Sequence, residues 1–127
     1  MTKTEAIVRS VLGPSGGDVR PLVFASDLFA QRMFVENIPM DDIKDTKEIY
    51  PYVAKLLKKR AGAATKSVER LANRCWDLGD RERLNEIAGK VLRTCPVPRD
   101  VLVYFAFYSY LDIPFYKAIE QRPALLF

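Results

Sequence analysis

The chain has no histidine, only two cysteines and a single tryptophan in 127 residues, and each scarcity removes a class of chemistry. Without histidine, neither a Ser-His-Asp nor a Cys-His nucleophile can be assembled. Cys75 and Cys95 fall short of the Cys/His set that one chain needs for a structural zinc site. No catalytic residue, metal or cofactor is indicated, and an enzyme is not expected. Long apolar runs are also missing: the longest, Val101–Leu111, falls well short of the roughly 20 residues that span a bilayer as a helix. The opening MTKTEAIVRSVLG has no continuous apolar stretch of the secretory kind, so the expected location is cytoplasmic and no membrane partner is expected. A reducing compartment disfavours a disulfide, although sequence alone leaves one open between Cys75 and Cys95. Alternating strand patterns, Asn-Gly hairpin signals, glycine-rich phosphate loops and internal repeats are absent as well.

What remains is helical periodicity in a chain that is 49% hydrophobic and 28% charged, a composition that supports one folded domain over residues 1–127. Ile7, Val8, Val11 and Leu12 mark a helix over about 4–12, with Thr4 placed to cap it and Gly13-Pro14 to end it. A second helix is expected from Pro21 to about Asn37, and one short turn over Met40–Lys44. Asp45 and Glu48 have capping-box spacing, which accounts for these carboxylates structurally. Because Pro51 belongs in an opening turn, the third helix is placed at about 50–60. The fourth, about 63–78, is strongly amphipathic: Ala64, Val68, Leu71, Ala72 and Cys75 share one face. Cys75 is therefore expected as a small buried hydrophobe. Leu84, Ile87, Ala88, Val91 and Leu92 indicate a fifth helix, residues 99–111 a sixth that is apolar nearly all round, and residues 114–121 a short last one. The class is all-α, with six to seven helices.

Charge is concentrated in one place. Lys55, Lys58, Lys59, Arg60, Lys66, Arg70 and Arg74 face a single acid, Glu69, so residues 55–74 carry +6 while the whole chain carries +4 and the remainder −2. The two helices around this segment have the form of a helix-turn-helix. Lys66, Arg70 and Arg74 recur every four residues, about 6 Å apart along a helix axis, and form a ridge that fits a major groove. Cations displace counterions condensed on DNA phosphates, which assigns Lys58, Lys59 and Arg60 to phosphates and Thr65 and Asn73 to base edges. The competing reading is a solvated face on which Glu69 pairs with Lys66 or Arg70.

Residues 49–89, IYPYVAKLLKKRAGAATKSVERLANRCWDLGDRERLNEIAG, resemble the C-terminal DNA-binding domain of the response regulator that initiates sporulation in endospore-forming bacteria, the stage zero sporulation protein A family. The shared landmarks are Tyr50-Pro51, Val53-Ala54-Lys55, Ala61, Trp76-x-x-Gly79 and Gly89. Gly13 through Phe29 and Pro96 through Val103 resemble flanking parts of that domain; the chain from about Asp112 does not, and no receiver domain is expected within residues 1–127. The resemblance implies a six-helix fold whose recognition helix enters the major groove, paired copies on duplex DNA, and contact with RNA polymerase sigma subunits. Where the family uses Arg, Glu, Arg and Arg, this chain has Ala63, Thr65, Lys66 and Glu69. Altered sequence specificity is the expected consequence.

Two further expectations concern Tyr104, Phe105, Phe107, Tyr108 and Tyr110, too many aromatics for one helix to turn toward one core. Either the segment from Phe115 onward folds back over them, or they form a surface for a homodimer. The alternative to DNA regulation is a protein-interaction module that kept the fold and engages a receiver domain or a polymerase subunit.

Overall fold

The computed structural model describes residues 1–15 and 17–126, and its described residues contain seven α-helices and no strand. The helices are α1 (Lys3–Leu12), α2 (Arg20–Ala30), α3 (Tyr50–Leu57), α4 (Ala61–Asp77), α5 (Arg81–Ala88), α6 (Pro98–Leu111) and α7 (Phe115–Gln121). No helix is long and apolar enough to cross a membrane.

The core is organised around α6. Every residue from Val101 to Phe107 is buried, so this helix has no solvent face over two turns. Helices α1, α2, α4, α5 and α7 all pack on it. Full burial of a large apolar side chain contributes roughly 1.5–3 kcal/mol, and α6 alone buries Leu102, Tyr104, Phe105 and Phe107. Part of the aromatic surplus is covered within the chain, by α7. Phe115 meets Phe107 edge-on at 4.9 Å between ring centroids, and the Tyr104 and Tyr116 hydroxyls are hydrogen-bonded at 3.0 Å. Tyr110 stacks on Phe34 at 4.7 Å, while 52% of it stays exposed.

Several boundaries depart from the sequence expectation. The cap of α1 is Thr2, whose hydroxyl accepts from the Glu5 amide, whereas Thr4 is buried and donates to Asp27. Helix α2 passes at Gln31 into a wider π turn over Gln31–Val35, and a second π turn, Asp45–Ile49, runs into α3. Arg32 connects the two by donating to the Glu48 carbonyl. Asp45 is no cap. It accepts from Arg99, which also donates to the carbonyls of Met40 and Ile43 and so ties the 40–45 loop to the start of α6. Helix α5 stops at Gly89, leaving Val91 outside the core and 69% exposed. Gly89 has a φ of +97°, and an added Cβ would lie 2.8 Å from Pro114. Gly79 closes α4 where an added Cβ would meet the Cys75 carbonyl at 2.5 Å. The third and fourth helices span 50–57 and 61–77 rather than 50–60 and 63–78. Both cysteines are free, Cys75 buried and Cys95 exposed.

Ser26 is fully buried on α2 and its hydroxyl has no hydrogen-bond partner among the described residues. A desolvated, unsatisfied hydroxyl costs stability, so Ser26→Ala is expected to raise the unfolding free energy by about 1 kcal/mol in urea denaturation. A loss of stability would show that the hydroxyl is satisfied in solution.

Candidate nucleic-acid interface

The basic segment starts from an ordinary local rule, used in an unusual way. Val53 and Ala54 turn α3 toward the core and leave Lys55 exposed. The helix ends in a Schellman arrangement: the Lys59 amide donates to the Ala54 carbonyl at 2.9 Å and the Lys58 amide to the Lys55 carbonyl at 3.2 Å. The residue that turns the chain is Lys58, with φ +56° and ψ +45° in the left-handed region that glycine normally fills.

Helix α4 then begins with no side-chain cap and no acid in its first turn, with Arg60 at the cap position. Open amides and positive partial charge therefore sit beside Lys58, Lys59 and Arg60, an arrangement that disfavours the isolated helix and attracts an anion. The buried face of α4 is the expected one: Ala64, Val68, Leu71, Ala72 and Cys75. Helical geometry directs Lys66, Arg70 and Asn73 away from it, and all three are exposed.

Two clefts show how the cations are brought together. The first, about 550 Å³, lies between the second π turn, α3 and the start of α4, and includes Lys47, Tyr52, Lys55 and Lys59. The second, about 240 Å³, lies between the loop before α2 and the flank of α4, and includes Asp18, Lys59, Ser67, Arg70 and Arg74. Lys59 belongs to both, so the two clefts adjoin and bring Lys47, Lys55, Lys59, Arg70 and Arg74 onto neighbouring surface. Among the described residues, no ion pair joins Lys55, Lys58, Lys59, Arg60, Lys66 or Arg70 to a carboxylate, although Arg9, Arg20, Arg32, Arg83 and Arg99 all have one. Glu69 does not neutralise Lys66 or Arg70. Its charge instead adds to burial and to Asp45 in pushing the Tyr50 hydroxyl up to about 12.

Thr65 stands apart from the other expected residues. Its hydroxyl donates to the Ala61 carbonyl at 2.9 Å, one turn back, and is not directed outward. Lys47, Tyr52, Asp18 and Ser67 join the surface without having been expected. The packing of the π turn and of the loop before α2 brings Lys47 and Asp18 there, whereas Tyr52 and Ser67 lie one turn from Lys55 and Arg70 on the same helices. Comparison with family models, curated proteins and solved structures finds no match to the chain.

Asp18 is the one carboxylate that lines the second cleft among the described residues. It accepts from the Arg20 guanidinium at 2.9 and 2.8 Å and from the Arg20 amide at 3.0 Å. The Arg20 side-chain bond is the main reason its carboxyl is lowered to about 2, with Lys59 adding a smaller attraction and burial opposing. A carboxylate lowered on folding stabilises the fold above its unfolded value, near 3.8, and that contribution disappears as pH falls through about 2. NMR titration is expected to place the Asp18 midpoint near 2 in the native chain and closer to 3.8 in Arg20→Ala. The pair is solvent-exposed, so its effect on stability is expected to stay below about 1 kcal/mol.

Proposed function

We propose that this chain is a DNA-binding transcriptional regulator in which α3, the Lys58–Arg60 turn and α4 work as a helix-turn-helix on duplex DNA. One observation carries the reading: Lys55, Lys58, Lys59, Arg60, Lys66 and Arg70 are all exposed on α3, the turn and α4 and, among the described residues, none is paired with a carboxylate of the chain. Lys58, Lys59, Arg60 and the open amides of α4 would hold phosphates, and Lys66 and Asn73 would reach base edges. Ala63 and Glu69 offer no bidentate donor, and Thr65 is engaged with its own helix. Direct base reading therefore rests on few side chains, at roughly 1–3 kcal/mol for each good contact. Two copies on neighbouring half-sites would compensate for that, and the resemblance to the sporulation regulator domain extends the reading to a sigma subunit as partner.

Lys58→Ala, Lys59→Ala and Arg60→Ala together are expected to weaken binding to every duplex sequence. The slope of log affinity against log salt should fall by about 0.9 for each phosphate that the protein no longer neutralises. Lys66→Ala and Asn73→Ala should instead change which sequences are preferred in a selection from random duplexes. Binding that is unchanged in the triple variant would remove the basis for the reading.

Lys58 permits a sharper separation. Glycine relieves the left-handed strain, so Lys58→Gly should stabilise the fold by up to about 1 kcal/mol while DNA affinity decreases. Tighter or equal DNA binding in that variant would mean that the lysine is not retained for phosphate.

A second reading, a protein-interaction module, is favoured by Tyr52 and Leu56, which are 46% and 56% exposed one turn apart on α3 beside Lys55. A salt-insensitive complex with a receiver domain or polymerase subunit, with no DNA shift at low salt, would select it.

A further inference from the structure

The irregular segment between α5 and α6 wraps a cleft of about 470 Å³ with α6 and α7 at its back. Three charged side chains line it: Lys90, Arg93 and Asp100. They are of opposite sign, yet no ion pair joins them, and the Asp100 carboxylate has no hydrogen-bond partner among the described residues. Asp100 is only partly exposed, at the first turn of α6. Burial pushes its carboxyl up, and the charges of Arg99 and Lys90 pull it back.

At the back of the cleft, the Tyr104 and Tyr116 hydroxyls hydrogen-bond each other at 3.0 Å. Only one proton is shared in that bond, so the other hydroxyl proton is available to an acceptor in the cleft. The Lys90 ammonium lies 4.0 Å from the Tyr116 ring centroid, which holds it at the wall outside ion-pair distance of any carboxylate among the described residues. Along the segment, the Leu92 amide is satisfied by Asn85, while those of Lys90, Val91, Arg93, Thr94 and Cys95 have no partner among the described residues.

A cleft that gathers two cations, one carboxylate, a spare hydroxyl proton and open amides, without letting the charges meet, is matched by a ligand of the reverse pattern. We propose that this cleft binds a small dicarboxylic amino acid. Its ammonium lies at Asp100, and its two carboxylates lie at Lys90 and Arg93, with a tyrosine hydroxyl and backbone amides completing the shell. The geometry is independent of the basic surface, since none of these residues lines the α3–α4 clefts.

Isothermal titration of the full chain with L-glutamate and L-aspartate, beside glutarate and L-glutamine, tests this directly. Saturable binding of one acidic amino acid per chain is expected. Glutarate, which lacks the ammonium, and L-glutamine, which lacks the second carboxylate, should each bind at least about tenfold more weakly. Asp100→Asn and Arg93→Ala should cost a similar factor, with circular dichroism confirming the fold; Arg93 is exposed, so its truncation leaves the core intact.

Cys95 supplies a second readout because it is exposed and lines the cleft. Its alkylation should slow with L-glutamate bound. Cys75 is an internal control, since burial pushes its thiol up to about 12 and leaves it unreactive near pH 8. No saturable binding at millimolar concentration, glutarate binding as well as L-glutamate, or full affinity in Asp100→Asn would each overturn the proposal.

Discussion

The structure depends on one constraint: α6 is apolar on all sides and has to be enclosed. Five helices meet that demand, and each turns its own apolar face inward to do so. The enclosure decides what the surface can be. Helix α4 presents Val68, Leu71, Ala72 and Cys75 to the interior, so Lys66, Arg70 and Asn73 must point outward. The same constraint fixes the positions of the loops. Arg99, at the start of α6, holds the 40–45 loop through two carbonyls and Asp45, and the following π turn delivers Lys47 to the cleft beside Lys55 and Lys59.

The local chemistry of the basic segment runs against stability in several places at once. A lysine occupies a left-handed position suited to glycine, α4 lacks a side-chain cap, and an arginine stands at its positive pole. The position of Lys58 and Lys59 at the negative pole of α3 returns part of that cost. Thr2 and Asp80 cap α1 and α5 through side-chain oxygens and Gly89 takes the left-handed position after α5, while α2, α6 and α7 also start without a side-chain cap and Asn37 and Asp112 are also left-handed. What sets the basic segment apart is that its left-handed residue, Lys58, and its uncapped cap position, Arg60, are both cations.

How much of this was legible in the sequence depends on range. The buried face of α4 could be read residue by residue, because helical periodicity is local and the apolar stripe is unbroken. The fifth helix could not be bounded: Val91 and Leu92 continue the periodicity of Leu84, Ile87 and Ala88, but Gly89 turns the chain away before they are reached. Thr4 fits a cap in sequence, and only the packing of α1 on α2 shows that its hydroxyl belongs to Asp27. The π turns left no local signal. They set the register in which Arg32 reaches the Glu48 carbonyl, a contact between residues far apart in the chain. Of the candidate interface, the cations were legible from charge alone. Asp18 and Lys47 were not, because tertiary packing alone brings them there, while Tyr52 and Ser67 follow from helical spacing to Lys55 and Arg70.

The central claim is that unpaired cations of α3, the turn and α4 form the surface that meets duplex DNA. Amide chemical-shift mapping of the labelled chain, titrated with a short duplex at low salt, tests it most directly. The account predicts the largest changes between Lys55 and Arg74, with lesser ones at Lys47, Tyr52 and Asp18, and little change in α6 and α7. Changes centred on α6 and α7, or none up to saturating duplex, would contradict it.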